Sequence, residues 1–406
     1  MSDLNALLKK HWGFDALRPL QQKAVDLAMA KKNAVVMLPT GGGKSVCFQL
    51  PAVALPGIAI VVSPLISLMH DQVEQLKKRG IRALHLSGMQ SQRDLDTKLS
   101  NAAFGDYKLL YISPERLQTE WILERLRQME ISLIAVDEAH CISQWGYDFR
   151  PSYLNIKKLR EILPDVPVLA LTASATKQVL ADIQHELQLT EPSIVRDTFF
   201  RESLAISILP TERKEARLLA LLQQSSGTSI IYLRSRKTTV SLAQYLNSQG
   251  ITALAYHAGM DADERQKNQT QWASGRARVM VATTAFGMGI DKADVRTVIH
   301  LDIPESPESY YQEIGRAGRD GKLAHCFLLY NNADVAKLEM NWKDEPDIEQ
   351  IKKIYSAFFS ENQIAIGAGQ YSERPIHLYS FSAKYNFTSR HVHQAFTLLD
   401  RMSFLI

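Results

Sequence analysis

Short apolar runs that alternate with stretches of helical periodicity constrain this 406-residue chain more than any other feature. In the first half the runs fall at residues 34–38, 58–63, 83–86, 109–112, 133–137 and 168–172. Helical spacing over 65–79, 90–104 and 176–187 separates them, and two short helices, 5–11 and 21–30, come first. Near-continuous apolar strands between helices predict a parallel sheet covered on both faces. The rhythm restarts after Thr198, with runs at 204–209, 229–233, 253–256, 279–282, 297–300 and 326–330, and helices at 213–224, 237–249 and 263–273. From residue 331 the strand signal stops, and helices are expected at 335–342, 348–359, 378–385 and 389–402. The last two have helix-turn-helix spacing about Asn386, with Phe396, Leu398, Leu399 and Met402 read as core. The fold class is α/β: two tandem parallel-sheet lobes, 1–200 and 201–330, then a smaller, mainly helical, partly winged-helix-like module, 331–406. The apolar ending Phe404-Leu405-Ile406 reads as the start of a further strand, an expectation of a longer parent protein.

Ligands of such sheets sit at the carboxyl ends of strands, and two polar motifs fall there. Ala34-Val35-Val36 leads into Met37-Leu38-Pro39-Thr40-Gly41-Gly42-Gly43-Lys44-Ser45, with a helix expected to follow. Three glycines let the backbone aim several N–H groups into one concavity that suits phosphate oxygens. Lys44 would reach the β- and γ-phosphates, Ser45 would offer a hydroxyl to Mg²⁺, and the helix N-terminus adds partial positive charge. Leu38 stands where the usual pattern has a first glycine. The second motif, Ile134-Ala135-Val136-Asp137-Glu138-Ala139-His140, delivers two carboxylates from an apolar strand. Asp137 is suited to hold Mg²⁺ through its water shell, and Glu138 to accept a proton from an attacking water. In the second lobe, Arg316 and Arg319 lie three apart among Gly315, Ala317 and Gly318. Small neighbours permit close approach of another surface, and arginines offered to a γ-phosphate stabilise charge in phosphoryl transfer.

Net charge is only +4, so a nucleic-acid surface would have to be a local groove. The three cysteines, Cys47, Cys141 and Cys326, are odd in number and far apart, which argues for reduced thiols. No signal-peptide core and no membrane-length apolar run is present, so the expected location is cytoplasmic and nucleoid-associated, with no membrane partner.

Taken together and in order, these segments resemble the RecQ family of superfamily-two DNA helicases over roughly residues 10–330. Leu17-Arg18-Pro19-Leu20-Gln21 resembles the family's adenine-reading motif, with Leu20 for the usual glycine and Phe14 for the usual tyrosine. Further matches are Ser63-Pro64-Leu65, Ser113-Pro114-Glu115-Arg116, Thr172-Ala173-Ser174-Ala175-Thr176, Tyr256-His257-Ala258-Gly259 and Thr284-Ala285-Phe286-Gly287-Met288-Gly289-Ile290-Asp291. Cys141-Ile142-Ser143-Gln144-Trp145-Gly146-Tyr147-Asp148-Phe149-Arg150-Pro151 resembles the family's aromatic-rich loop, which separates it from its relatives.

The resemblance implies RecA-like lobes, ATP and Mg²⁺ as cofactors, and 3′-to-5′ travel along one DNA strand with duplex unwinding in recombination and repair. It assigns nucleotide contacts to Phe14, Arg18, Gln21, residues 39–45, Gly287 and Asp291. Lys44, Asp137, Glu138, Arg316 and Arg319 carry hydrolysis, with Arg319 the γ-phosphate finger. Ser143, Trp145, Phe149 and Arg150 sense DNA, and the partners are single-stranded and tailed duplex DNA and, by extension, single-strand-binding or repair proteins. Family members commonly hold zinc through four cysteines after the second lobe. No cysteine follows Cys326 here, so no zinc ligand is expected and the chain reads as a zinc-free, bacterial-type form.

Three other readings use the same motifs: a DEAD-box-like RNA helicase, a double-strand translocase that separates no strands, and a binding module with a degenerate ATPase. Gln144-Trp145 argues against the first, and intact Lys44, Asp137, Glu138 and Arg319 against the last. If Trp145 stacks on a base, Trp145→Ala should weaken single-strand binding by about 1–3 kcal/mol and uncouple DNA from ATPase stimulation and unwinding. Wild-type stimulation and unwinding in the variant would remove the loop from the coupling.

Overall fold

The structure, a computed structural model, describes residues 4–86, 90–144, 148–196, 198, 200–287, 292–343, 346–364 and 374–401. Its first sheet holds β1 Ala34–Met37, β2 Ile58–Val62, β3 Ala83–Leu86, β4 Leu109–Ile112, β5 Ile131–Val136, β6 Val168–Thr172 and β7 Ser193–Arg196. The second holds β8 Leu204–Pro210, β9 Thr228–Tyr232, β10 Ala253–Tyr256, β11 Val279–Ala282, β12 Val295–His300 and β13 Ala324–Tyr330. Strand order is β3-β4-β2-β5-β6-β1-β7 in the first sheet and β10-β11-β9-β12-β13-β8 in the second. Every neighbouring pair is parallel.

Strand periodicity explains why the apolar runs are unbroken. Val35 and Met37 of β1 and Ile58, Ile60 and Val62 of β2 enter one core, while Ala34, Val36, Ala59 and Val61 enter another on the opposite face. In the second sheet Ile231 and Val281 face one core, and Ile230, Tyr232, Met280 and Ala282 the other. A strand covered on both faces leaves few positions for a polar residue.

The strand Ser193–Arg196 lies just before the lobe boundary that the sequence places near Arg196–Ser203, and no strand is expected there. Of its four residues Val195 alone is buried, and it adds to the sheet edge by pairing with β1. An edge strand this short carries almost no hydrophobic signal.

By contacts the chain separates into two compact units, Met1–Tyr330 and Asn331–Ile406. In the second, the helices Ile348–Glu361, Leu378–Tyr385 and Ser389–Arg401 enclose Ile354, Phe358, Phe381, Val392 and Ala395. Asn386, left-handed at φ 58, closes the middle helix. Val392, Ala395 and Leu399 form the buried stripe of the last helix, whereas Leu398, read as core from sequence, is 40% exposed. Its place on the helix lies at the flank of that stripe. Met402 and the apolar ending lie outside the described residues. Among the described residues, no helix is long and apolar enough to cross a membrane.

Trp272 is the largest fully buried side chain and supports the second sheet from beneath. Its Nε1 donates to the Ser229 carbonyl at 3.2 Å, and its ring meets Phe286 edge-on at 5.2 Å. Replacement by alanine should destabilise the lobe by about 3–5 kcal/mol, read as a lower denaturant midpoint. A cost below about 1 kcal/mol would show that the site collapses around the missing ring.

Candidate active site

Strand β1 hands the chain to the glycine-rich loop. Leu38 does not line the loop's concavity: its side chain is buried in the core, and its carbonyl accepts from Lys44 Nζ at 3.2 Å. A leucine at this position therefore anchors the strand end, and the turn is made afterwards, where Gly42 N donates to the Pro39 carbonyl at 2.8 Å. Gly43, at φ +75, opens the helix Lys44–Ala54, so Lys44 and Ser45 stand in its first turn, where N–H groups lack partners within the helix. Leu20, the other departure from the family pattern, lies in the ordinary first turn of the helix Pro19–Met29. Gln21 ties that helix to the loop. Its Oε1 accepts from Arg18 N at 2.9 Å, and its Nε2 donates to the Gly42 carbonyl at 2.9 Å.

Asp137 and Glu138 emerge from the carboxyl end of β5, one strand away from β1 across β6. Glu138 holds a left-handed backbone, φ 47 and ψ 47, which is costly for a side chain of this kind and is often found at functional sites. Its N–H donates to Asp137 Oδ1 at 3.0 Å. Burial, and then the Glu138 carboxylate, push Asp137 up to about 7, against the pull of Lys44 and the Glu138 N–H. Glu138 Oε2 is buried without a hydrogen-bond partner. His140 Nδ1 lies 3.5 Å from that oxygen and 3.0 Å from Thr172 Oγ1. Burial pulls the His140 pKa down, with Glu138 opposing, so the ring is disposed to remain neutral.

The second sheet supplies two arginines. The helix Pro307–Ile314 starts at Ser306, whose Oγ accepts from Ser309 N at 3.0 Å, and is held near its end by Glu313 Oε2, 2.7 Å from His300 Nε2. Just beyond, Arg316 is 4% exposed and its Nη1 donates to the Gly287 carbonyl. Arg319 crosses to the glycine loop so closely that a Cβ on Gly41 would lie 2.8 Å from its Cγ. A Cβ on Gly315 would likewise lie 3.0 Å from the Thr40 Cβ.

These parts enclose a cleft of about 560 Å³, within the usual range for a small-molecule site. Phe14, Arg18 and Gln21 line one end, and Thr40, Gly41, Gly43, Lys44 and Ser45 the floor. Asp137 and Glu138 stand on one wall, Arg316 and Arg319 on another. Five cations (Arg18, Lys44, Arg79, Arg316 and Arg319) and three carboxylates (Asp71, Asp137 and Glu138) line it, with helix N–H groups below, a set that suits a polyanion accompanied by a metal ion.

Comparison with known proteins agrees with this arrangement. The DEAD/DEAH box helicase family matches residues 18–183, and the helicase conserved C-terminal domain matches residues 213–321. The probable ATP-dependent DNA helicase RecS of Bacillus subtilis is 42% identical over 334 residues, 81% of this chain and 67% of that protein. The ATP-dependent DNA helicase RecQ of the same organism is 41% identical over 356 residues, 86% of this chain and 60% of that protein. The chain belongs to the RecQ family of superfamily-two helicases. It spans 60%, 57% and 59% of three RecQ relatives. Among solved structures, the fold is similar to yeast Dbp5 bound to RNA and ADP BeF3 (TM-score 0.64, 19% identity, 85% of this chain and 94% of that one). It is also similar to the DUF1998 helicase MrfA bound to DNA (TM-score 0.69, 20% identity, 84% and 53%).

Other residues singled out in this RecQ-family sequence fall outside the cleft. Pro39 and Gly42 line a second cavity beside Arg18 and Gln21. Gly287 stands behind Arg316 as its acceptor. Ser143 is buried and donates to Asp182 at 2.5 Å, and Phe149 is half-buried. Arg150 is turned inward, donating to the Pro64 carbonyl at 3.0 Å and to Asp148 at 3.2 Å. Trp145 and Asp291 lie outside the described residues. His140, Cys141 and Asp148 place their ligand atoms within 4.8 Å of one another, but Cys141 Sγ donates to Asp148 and Arg150 pairs the same carboxylate oxygen.

Sequence reasoning passed over the supports. Tyr153, fully buried, donates its hydroxyl to the Asp137 carbonyl at 2.8 Å. Gln49 binds Gln72 at 2.8 Å and the Tyr111 hydroxyl at 3.1 Å beneath the glycine loop. The signal for Gln49 was present: a polar residue four after Ser45 on an otherwise apolar helix shares Ser45's face.

Because the Asp137 carboxyl is held above its ordinary value, the stability it contributes is present below about pH 4 and lost as pH rises to about 7. Asp137→Asn removes that loss. Without nucleotide and metal, the variant should melt higher than wild type at pH 8, by about 2–4 °C per kcal/mol, with the gain shrinking toward pH 5. A variant that melts lower at pH 8 would contradict the electrostatic reading.

Proposed function

We propose that the chain is the motor of an ATP-dependent DNA helicase that hydrolyses ATP in the cleft and uses the cycle to move 3′ to 5′ along one strand, unwinding duplexes in recombination or repair. One observation carries the reading: the phosphate loop and carboxylates of the first sheet and the arginines of the second converge on one cleft. ATP would lie with its base between Phe14 and Arg18, beside the Gln21 amide. Its phosphates would rest on residues 39–45 and Lys44. The buried, unpartnered Glu138 oxygen and the raised Asp137 carboxyl fit a hydrated cation, so Ser45 and Asp137 would hold Mg²⁺. When bound, that ion supplies charge neutralisation at the β- and γ-phosphates. Glu138 takes the proton of the attacking water, and Arg319, with Arg316 beside it, meets the charge that spreads over the γ-phosphoryl oxygens.

Polarity, strand separation and the repair role come from the family resemblance, as do the partners, single-stranded and tailed duplex DNA and single-strand-binding or repair proteins. The helicase names of the relatives support a DNA substrate. Ser143, Trp145, Phe149 and Arg150 make up the proposed DNA sensor, in which Arg150, tied to Pro64 and Asp148, holds the loop's shape. A cytoplasmic, nucleoid-associated location follows from the same reading.

The test is ATPase activity with single-stranded DNA, duplex DNA or RNA, beside unwinding of 3′- and 5′-tailed duplexes. Stimulation by single-stranded DNA and opening of the 3′-tailed substrate are expected, with affinity falling as salt rises. Stimulation by RNA alone would overturn the reading. Arg319→Lys should lower hydrolysis roughly 10³-fold, since a point charge does not reproduce a planar fork. Wild-type turnover in that variant would move the finger elsewhere.

A further inference from the structure

Between β7 and β8 the chain crosses from the first sheet to the second, and Arg201 stands in that crossing. Sequence gives it no role: it follows an unremarked Phe199-Phe200 pair and belongs to no motif. Its guanidinium is nonetheless among the most fully engaged in the molecule. Nη1 donates to the Gly315 carbonyl at 3.0 Å and reaches the Thr40 carbonyl at 3.5 Å. Nη2 donates to the Ala317 and Gly318 carbonyls at 3.0 and 2.9 Å.

The chemistry of those acceptors is specific. The helix Pro307–Ile314 ends at Gly315, so the carbonyls that follow it have no helical successor to satisfy them, and the helix end carries partial negative charge. A planar fork with donors on two nitrogens can bridge several carbonyls at once, which an ammonium on a flexible stem cannot. The bridged carbonyls belong to the residues among which Arg316 and Arg319 are spaced, and the fourth belongs to the phosphate loop. The backbone repeats the connection: Ala324 N donates to the Ser203 carbonyl at 2.8 Å, and Ser203 Oγ lies 3.5 Å from the Gly318 carbonyl. Arg201 itself is not part of the cleft lining.

We propose that Arg201 is a positioning residue for the reaction in the cleft. It fixes the turn from Gly315 to Gly318 that aims the two arginines, and it ties that turn to Thr40. Substrate contacts are left to Arg316 and Arg319; Arg201 acts through them. The proposal rests on the hydrolytic reading given above.

The experiment compares Arg201→Lys and Arg201→Gln with wild type in the full chain, by thermal melting, ADP affinity, and steady-state hydrolysis with single-stranded DNA. ADP affinity and KM should stay within about two-fold, because Arg201 touches neither base nor phosphate, while kcat falls roughly 10- to 100-fold in both variants. Retained ADP affinity shows that the first lobe has folded. The second measurement is a cycle with Arg319→Lys. If Arg201 acts through Arg319, the double variant Arg201→Gln/Arg319→Lys loses little beyond Arg319→Lys alone.

Wild-type kcat in both Arg201 variants, loss of ADP affinity in parallel with kcat, or multiplicative losses in the double variant would each overturn the proposal. Absence of hydrolysis by the wild-type chain would overturn the functional reading and this inference together. Wild-type hydrolysis that is indifferent to Arg201 would overturn this inference alone.

Discussion

Glycine backbone on each side of the cleft meets side chains from the other, and the rest of the site depends on that proximity. Gly41 leaves no room for a Cβ beside Arg319, and Gly315 presses on Thr40 in the same way. Arg319 reaches the glycine-rich loop of the other sheet only because Gly41 leaves side-chain bulk out of its path. The parallel arrangement of both sheets makes the meeting possible, because each sends its catalytic loops out from the carboxyl ends of its strands. Lys44 and the carboxylates are thus native to one sheet and the arginines to the other, and neither sheet holds a complete set.

The first sheet keeps its carboxylates in a condition that water would not impose. Asp137 is raised by burial and by a like charge at its side, Glu138 sits on a strained backbone, and one of its oxygens is buried without a hydrogen bond, with the His140 ring 3.5 Å away. Such features are unfavourable when taken alone. They persist because the surroundings fix them: the Tyr153 hydroxyl on the Asp137 carbonyl, the Thr172 hydroxyl on His140, and the buried apolar run Leu133–Val136 of β5 beneath. The discomfort is local, and the support is spread over several elements.

Much of this was legible before any coordinates. Strands buried on both faces announce themselves as unbroken apolar runs, so β1, β2, β4, β6, β9 and β11 fall within a residue of their expected places, as do the less buried edge strands β3, β8 and β10, and a parallel α/β fold follows. β7, a four-residue edge strand with Val195 alone buried, announces little and is missed. Lys44, Ser45, Asp137, Glu138, Arg316 and Arg319 could be found because their chemistry constrains residue type and spacing, and the structure gathers all six into one cleft. Supports obey no such spacing. Tyr153 and Arg201 act through hydroxyl or guanidinium contacts to backbone elsewhere in the chain, and Gln49 through amide contacts to the side chains of Gln72 and Tyr111. Several residue types could make such a contact, and only the fold says which group lies within reach. Arg150 and Ser143 show the converse: a sequence pattern fitted for outward contact, and side chains that the fold turns inward.

Strand order also has a bearing on how the protein is made. The strand that launches the phosphate loop, β1, pairs only with β6 and β7, residues 168–172 and 193–196, and with none of the strands that follow it directly. A ribosome releasing the chain from its N-terminus therefore presents Lys44 early, with no sheet to receive it, and long-range parallel pairing of this kind is slow to form. The glycine-rich loop is therefore seated on its sheet only when the first lobe is nearly finished, and a finished first lobe still lacks the cleft's arginines.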